Sequence, residues 1–285
     1  MEAHAPGPSA PTREYSLTAV IGAAASAHPF RRFLGGVAVG AGDVIHALGD
    51  DEVRAFAASG KLLHAWPAPA GATCLAIGPD GRVFVGSPGR VDICAADGRR
   101  LGGFPVANAG RPAAITSIRV FRHEVLVGDA AARCVCRYDA TGRALGLVGN
   151  QDATRGFMLP NRSLDFDVST GGLIYATDTG RHRVAAWTLE GSLTGTFGRF
   201  GHANPEDFVG CCNPVNLAIA PDGTVVTGEK MIARVKVYAP AGRLLALIGP
   251  AHFDQRATHL FLAVDSSGRV LAGDPVRREV KVFAA

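Results

Sequence analysis

Short runs of alternating apolar and polar residues, separated by turn residues, extend along most of this chain. The clearest example is NLAIAPDGTVVTGEKMIARVKVYAPAGRLLALIG, residues 216–249. Its Val, Ile and Tyr residues recur with a period of two, as in strands that bury one face. The turns Pro221-Asp222-Gly223 and Ala241-Gly242 separate these runs and are typical of tight β-hairpins. The segment therefore predicts four antiparallel strands.

The same pattern recurs with a period that is typical of propeller blades. Five copies occupy Val37–Trp66, Cys74–Phe104, Ile115–Gly149, Leu164–Gly198 and Leu217–Gly249, and a sixth, Leu260–Phe283, ends after its third strand. The residues that end the second strand of each copy are Asp50, Ser87, Asp129, Asp178, Glu229 and Asp274. Their separations of 37, 42, 49, 51 and 45 residues fit four-stranded repeats. The sequence therefore predicts an all-β fold, a six-bladed β-propeller.

The N-terminal region supplies the strand that the sixth copy lacks. Residues 15–22 resemble the fourth strand of the other copies, such as residues 244–249. Placed beside residues 280–283, this strand would complete the last blade and close the ring, which removes an exposed sheet edge. We therefore expect one propeller domain over residues 14–285. Residues 1–13 are rich in Ala and Pro, and we expect them to form a disordered leader.

Two segments carry a resemblance to a known family. Asp178-Thr-Gly-Arg-His-Arg-Val184 and Glu229-Lys-Met-Ile-Ala-Arg-Val235 combine an acid, a basic residue and a valine that begins the next strand. These repeats resemble those of the NHL-repeat β-propeller family, over about residues 15–285. The second and third copies depart from the pattern, since Ser87 replaces the acid and the turn after Asp129 differs. The resemblance implies the same six-bladed fold.

A cysteine-containing loop narrows the resemblance. Gly210-Cys-Cys-Asn-Pro214, followed by Glu229 and Lys230, is similar to a bacterial branch of NHL proteins that carries a Cys-Gly-Cys-Cys-Asn-Pro stretch. Val209 occupies the position of that motif's first cysteine. A function that needs three cysteines in this loop is therefore not predicted.

Composition and charge exclude several classes of protein. Lys and Arg total 29 against 25 Asp and Glu, and no block of like charges occurs, which argues against a nucleic-acid partner. No apolar run reaches the roughly 18 residues of a transmembrane helix. The N-terminus lacks the basic and apolar regions of a secretory signal, so we expect a cytoplasmic protein. If a leader had been removed, an exported protein would look the same.

Loop lengths indicate which face of the propeller carries a site. The first and third hairpins of each copy are short, whereas the opposite face gathers the acidic turns and the long connections 150–163 and 199–213. Long loops on a rigid scaffold usually carry binding residues. We call this side the long-loop face. The polar residues at its channel mouth are expected to be Arg32, Thr73, Thr116, Asn161, Arg162, Asn213, Asn216 and His259.

The leading hypothesis is a non-catalytic binding or scaffold module. It would present the long-loop face to a protein partner, as a subunit of a larger assembly. The expected binding face comprises Phe157, Asn161, Arg162, Phe200, Phe208, Asn213 and Glu229. Met158, Leu159 and Phe253 are further apolar candidates in these loops, and we expect them to be exposed, like Phe157, Phe200 and Phe208. Aromatic anchors of this kind dominate the energy of protein interfaces. The acidic turn series is expected to bind turn amides and neighbouring arginines.

The alternative hypothesis is a metal-dependent lyase or hydrolase with its site at the channel mouth. Cys211, Cys212, His202 and His259 are the candidate metal ligands, since thiolates and imidazoles bind soft and borderline metals. A vicinal disulfide, or one buried and one exposed thiol, explains the adjacent cysteines equally well. A redox or metal-sensing role of this pair is the third hypothesis. The family resemblance implies that some relatives hold zinc with histidines, and fold alone does not decide the activity. Whether the protein is an enzyme and which cofactor it uses therefore stay open, and the absence of catalytic motifs favours a binding protein.

A second cysteine pair has a structural explanation. Cys134 and Cys136 are two residues apart on a predicted strand, so both side chains project from the same face. They could pair with each other or bind a soft ion, but packing between blades is the expected role. Cys74 and Cys94 are expected to be buried apolar residues.

Overall fold

The structure is a computed structural model, and it describes residues 11–150 and 156–285. Strand β1 spans Ser16–Ile21. Blade 1 consists of β2 (Leu34–Val39), β3 (Ile45–Gly49), β4 (Glu52–Phe56) and β5 (Leu62–Pro67). Blade 2 consists of β6 (Cys74–Ile77), β7 (Val83–Ser87), β8 (Arg90–Cys94) and β9 (Arg100–Pro105). A small hairpin, β10 (Ala107–Asn108) and β11 (Arg111–Pro112), follows blade 2.

The remaining blades repeat this order. Blade 3 consists of β12 (Ile115–Phe121), β13 (Glu124–Asp129), β14 (Cys134–Asp139) and β15 (Ala144–Val148). Blade 4 consists of β16 (Phe166–Val168), β17 (Ile174–Asp178), β18 (Arg183–Trp187) and β19 (Leu193–Phe197). Blade 5 consists of β20 (Asn216–Ile219), β21 (Val225–Glu229), β22 (Arg234–Tyr238) and β23 (Leu244–Ile248). Blade 6 contains β24 (Phe261–Val264), β25 (Val270–Asp274) and β26 (Glu279–Ala284).

The described residues form six four-stranded antiparallel sheets arranged as a β-propeller, as the sequence predicts. The sixth sheet has the order β1-β26-β25-β24, so the N-terminal strand completes the last blade. Ser16 pairs with Ala284 and Ile21 with Val280. The innermost strand of each blade contacts those of both neighbours, including β2 with β24, and this contact closes the ring. The fold prediction is therefore confirmed.

Small residues let neighbouring blades approach closely. The second strand of most blades ends with a glycine before its polar terminal residue, as at Gly86 and Gly273. A Cβ atom at Gly86 would lie 2.8 Å from Ile115 Cγ2 of the next blade, and one at Gly273 would lie 3.1 Å from Leu34 Cδ2. A glycine inside a strand often marks such a close backbone approach. A cluster of buried apolar side chains therefore fills each of the six interfaces between neighbouring blades.

The chain ends and helices add little to this architecture. The backbone N–H groups of Thr12 and Arg13 both donate to the Leu245 carbonyl at 2.9 Å, so the chain contacts blade 5 before β1 begins. The rest of the expected leader, residues 1–10, lies outside the described residues. Among the described residues, three single-turn 3₁₀ helices occupy Ala41–Asp43, Thr179–Arg181 and Pro250–His252. In the described part of the chain, no helix is long and apolar enough to cross a membrane.

Candidate functional site

The acidic turn series ties the long-loop face together. In five blades, the acid that ends the second strand accepts a backbone N–H from the connection that leads into the same blade. The pairs are Asp50 with Arg31 (2.7 Å), Asp129 with Ala114 (3.0 Å), Asp178 with Met158 (2.8 Å), Glu229 with Val209 (3.0 Å) and Asp274 with Asp254 (2.7 Å). These acids therefore hold the long loops against the blades, as expected from the sequence.

Aromatic residues in the long loops anchor the same connections. Four phenylalanines lie in connections between blades. Each packs on an aromatic residue at, or next to, the end of the third strand of the blade that follows. The ring centroid distances are 6.4 Å for Phe30–Phe56, 5.9 Å for Phe157–Trp187, 6.0 Å for Phe208–Tyr238 and 5.9 Å for Phe253–Phe283. The expectation that Phe157, Leu159, Phe208 and Phe253 are exposed is therefore wrong. They are buried because each loop needs an apolar anchor in the groove between blades.

Two further residues of the expected binding face are buried as well. Glu229 accepts hydrogen bonds from Arg234 Nε and pairs with Lys236 Nζ, both at 2.8 Å. The Lys236 side chain has no exposed surface, and its burial lowers its pKa to about 8. Asn213 donates from its side-chain amide to the Lys230 carbonyl at 3.0 Å, and its Oδ1 accepts the Lys230 N–H at the same distance. Glu229 and Asn213 therefore hold the loop in place, and a partner at the surface cannot reach them directly.

Outside the outermost strands, the large exposed apolar side chains lie in one sector of the long-loop face. Of the eleven large exposed apolar residues in the described part of the chain, seven lie on the outermost strands, spread over all six blades: Leu17, Val20, Leu63, Leu101, Leu145, Leu193 and Leu247. The other four lie in loops and turns of blades 4 and 5, and we call them the apolar patch: Met158, Phe200, Met231 and Ile232. Phe200 and Met231 are 55% and 62% exposed. Clustered exposed apolar residues are candidates for an interaction surface, whereas scattered ones need no explanation.

Contacts connect the members of the apolar patch. The Met158 side chain lies against the turn at Gly180, so closely that a Cβ atom added to Gly180 would lie within 3 Å of it. His182, in the same turn, stacks edge-on against Phe200 with ring centroids 5.0 Å apart. Met231 Sδ lies 3.0 Å from the Cβ position of Gly210, in the loop that also carries Phe200. The patch therefore extends across the adjoining loops of blades 4 and 5.

The remaining expected binding residues flank this patch. Arg162 is exposed, and Asn161 is half-buried. Asn161 Oδ1 accepts a hydrogen bond from Thr179 Oγ1 at 2.9 Å. Thr179 belongs to the turn that carries His182, so both residues border the blade 4 side of the patch. Residues 151–155 of the first long loop lie outside the described residues.

The structure separates the candidate metal ligands. Cys211 and Cys212 lie together, with their Sγ atoms 2.8 Å apart. His202 contacts Phe200 instead, with ring centroids 5.2 Å apart. His259 lies in the channel mouth, where burial and the nearby Lys230 lower its pKa. Within residues 11–150 and 156–285, no three His, Cys, Asp or Glu side chains are placed to hold a metal ion. The donor set therefore does not fit a tetrahedral metal site.

The second cysteine pair lies in the core. Cys134 and Cys136 are both buried, with Sγ atoms 3.9 Å apart, and they pack between blades 2 and 3. Burial also encloses Cys74 and Cys94. Among the six cysteines, all of which are free thiols in the structure, Cys211 is the exposed one.

The channel mouth holds a cavity of about 360 Å³. Its polar wall residues are engaged with one another. Thr116 Oγ1 and Ser117 Oγ both donate to the Leu164 carbonyl at 2.8 Å, and Asn216 donates to Asp165 at 3.0 Å. Thr73 Oγ1 donates to the Ile115 carbonyl at 2.8 Å. These bonds join neighbouring blades, so they stabilise the ring and leave few groups free for a ligand.

An ion cluster that the sequence did not predict lies in the channel, where it joins blades 3 and 4. Arg119 Nε lies 3.0 Å from Asp167, and its Nη2 lies 3.7 Å from Asp165. Arg119 lines the mouth cavity and also a second cavity of about 190 Å³ in the channel. Burial raises the pKa of Asp165, and the Arg119 charge opposes that rise. The sequence does carry a signal for this cluster. Arg119 is a charged residue in the alternating pattern of β12, the innermost strand of blade 3.

Comparisons with known proteins identify the fold. No protein-family model matches the chain, and no curated protein matches it by sequence. Among solved structures, a streptogramin B lyase gives a TM-score of 0.65 at 8% identity, covering 95% of this chain and 97% of that chain. A chain of the mitotic checkpoint complex gives 0.64 at 13% identity, covering 100% and 97%.

The WD40 β-propeller domain of Doa1 gives a TM-score of 0.61 at 12% identity, covering 95% of this chain and 97% of that chain. At these identities the likeness concerns the fold. Since lyases and WD40 domains share it, the fold by itself does not assign an activity.

Proposed function

We propose that this propeller is a non-catalytic binding module, whose apolar patch on blades 4 and 5 docks a protein partner. The observation that carries the proposal is the concentration of exposed apolar side chains outside the outermost strands: Met158, Phe200, Met231 and Ile232. Methionine and aromatic residues are enriched in the cores of protein interfaces.

The loops below the patch are held rigidly, which favours binding. Phe208 and Glu229 anchor the loop that carries Phe200, and Asn213 fixes the same loop to the turn before Met231. A surface that is ordered before binding loses less conformational entropy on association. The buried residues of the expected binding face therefore support the patch from beneath it.

The finer parts of the assignment also belong to this proposal. The NHL-type repeats, with their bacterial cysteine motif, and the role as a subunit of a larger assembly rest on the sequence resemblance and on the patch. One protein with a similar fold is a chain of the mitotic checkpoint complex, which is consistent with a propeller that acts within an assembly.

The alternative, a lyase or hydrolase at the channel mouth, has less support. A streptogramin B lyase shares the fold, and the mouth cavity contains the half-buried His259. However, the hydroxyl and amide groups of Thr116, Ser117 and Asn216 are engaged between blades, and the described residues offer no three-ligand metal site. The geometry therefore favours binding over catalysis.

The test compares the wild-type protein with a patch variant and a matched surface variant. Each is tagged, expressed in the native host and purified with its bound proteins, which mass spectrometry quantifies. Phe200→Ala combined with Met231→Ala should abolish stoichiometric co-purification of the partner. Leu193→Ala, at an exposed residue of an outermost strand, should leave it unchanged. Equal recovery of the partner with both variants would contradict the proposal.

Limited proteolysis gives an independent measurement. A docked partner should protect residues 199–213 from cleavage, because this loop carries Phe200. If the cleavage rate is equal with and without the partner, the docking surface lies elsewhere.

A further inference from the structure

The adjacent thiols of Cys211 and Cys212 form an asymmetric pair at the edge of the apolar patch. Their Sγ atoms are 2.8 Å apart. Cys211 is exposed, whereas Cys212 is 4% exposed. The next residue before them, Gly210, contacts Met231. One thiol can therefore meet a reagent from solvent, and the second lies within reach of the first.

The two sulfurs differ in their environment as well as in their exposure. Burial raises the pKa of the Cys212 thiol, and its hydrogen bond with Cys211 raises it further. The Cys212 Sγ lies 2.8 Å from Cys211 Sγ but is shielded from solvent, whereas Cys211 is exposed. The thiolate is the nucleophile in thiol–disulfide exchange, so the exposed Cys211 is the attacking residue.

We propose that Cys211 and Cys212 are a redox-active dithiol, which a small-molecule disulfide oxidises to a vicinal disulfide. In the first step the Cys211 thiolate attacks one sulfur of the small disulfide, whose S–S bond breaks, and one thiolate leaves and takes up a proton. In the second step Cys212 loses its proton to solvent and attacks Cys211 Sγ. The second small thiolate leaves and is protonated. Two cysteines are oxidised, and one disulfide is reduced to two thiols.

The product is expected to be easily reduced. Consecutive Cα atoms lie about 3.8 Å apart across a trans peptide, below the roughly 4.4–6.8 Å that disulfides usually span. Strained disulfides have more oxidising potentials and serve as labile or regulatory bonds. The modification is therefore reversible by ordinary thiols.

The modification acts on the loop that supports the patch. Cys212 precedes Asn213, whose side chain bonds to both backbone groups of Lys230. Closing a ring between residues 211 and 212 changes the backbone next to this clamp, which borders Met231. The consequence for docking rests on the proposed function, whereas the thiol chemistry is measured on the protein alone. Either can fail without the other.

The test uses the reduced full chain in buffers with increasing ratios of glutathione disulfide to glutathione. Free thiols are then blocked with N-ethylmaleimide and counted by intact mass, and the modified residues are located by peptide mapping. The wild-type protein should lose two free thiols, both in the peptide containing Cys211 and Cys212. Dithiothreitol should restore them. Hydrogen exchange should become faster at the Val209 and Lys230 amides in the oxidised form.

Single variants separate the two roles. Cys212→Ser should accumulate a mixed disulfide with one glutathione on Cys211, since the resolving thiol is missing. Cys211→Ser should gain no adduct, because Cys212 is buried. The control Cys134→Ser combined with Cys136→Ser should oxidise like the wild type, since that pair is shielded in the core. A stable mixed disulfide in the wild type, oxidation at Cys134 and Cys136 instead, or no loss of thiols would each overturn the proposal.

Discussion

Two phenylalanines in one loop provide a sharp test of how the long-loop face is built. Phe208 is fully buried against Tyr238, and Lys236 Nζ lies 5.0 Å from the centre of its ring. Phe200, eight residues earlier, is 55% exposed. We expect Phe208→Ala to destabilise the fold strongly and Phe200→Ala to leave its stability nearly unchanged.

The magnitude follows from the buried area. An aromatic side chain buries about 150–250 Å², which at roughly 25 cal/mol per Å² corresponds to about 4–6 kcal/mol. Core Phe→Ala substitutions cost about 3–5 kcal/mol. The variant also removes the ring beneath the Lys236 ammonium. We therefore expect a loss of about 4 kcal/mol for Phe208→Ala, and less than about 0.5 kcal/mol for Phe200→Ala, as for most surface substitutions.

Urea unfolding measures both values, with the fluorescence of the buried Trp66 and Trp187 as the signal. In thermal unfolding, an entropy of about 2.1 cal/mol/K per residue over 285 residues converts 4 kcal/mol to a fall of about 7 °C in Tm. If Phe208→Ala unfolds within about 1 kcal/mol of the wild type, Phe208 is not an anchor. In that case, the explanation given for the other buried loop phenylalanines fails with it.

Further variants test the pH dependence, the channel and the blade packing. Burial lowers the pKa of His46 from 6.5 to about 4, so the folded protein keeps this histidine neutral. The contribution of the neutral histidine to the free energy of unfolding is fully present above pH 6.5 and is lost as the pH falls towards 4. By pH 4 this loss reaches about 3 kcal/mol. Urea unfolding of the wild type and of His46→Gln at pH 7 and pH 4 measures it. The free energy of unfolding should fall more for the wild type than for the variant, and an equal fall in both would refute the reasoning. Arg119→Met leaves Asp165 without its cation and should lower the free energy of unfolding by up to about 3 kcal/mol at pH 7, as measured with urea. The loss should be smaller in acid. An unchanged unfolding midpoint would mean that the ion cluster does not stabilise the fold. Gly86→Ala should cost about 1–3 kcal/mol in the same assay because its Cβ would meet Ile115 of the next blade, whereas Gly102→Ala, with open space around it, should be neutral.

The fold was predictable because its information is repeated. Alternating strands, hairpin turns and the polar residue that ends each second strand recur six times, so one ambiguous copy does not change the blade count. The match between residues 15–22 and the fourth strand of other copies also predicted how the ring closes. Local sequence patterns therefore determine the architecture.

The site was predictable only in part, because exposure depends on neighbouring blades. Phe200 and Phe208 lie in the same loop, and no local pattern distinguishes them. The signal for Phe208 is a repeat feature, since phenylalanines also follow the fourth strand at Phe30, Phe157 and Phe253 and meet an aromatic residue in the next blade. Met231 depends on a turn conformation, with a positive φ of 70°, that turns its side chain towards solvent.

The way blade 6 is assembled has a consequence for the time order of folding. Strand β1 is synthesised before the rest of the propeller, yet its partner β26 is completed only when residue 284 has been added. At about 5–20 residues per second, the nascent N-terminal strand waits on the order of tens of seconds for its partner. During that interval the exposed edges of β1 and of the growing array are open to pairing with other chains. Expression yield should therefore depend on translation speed and on chaperones more strongly than the stability of the finished ring would indicate.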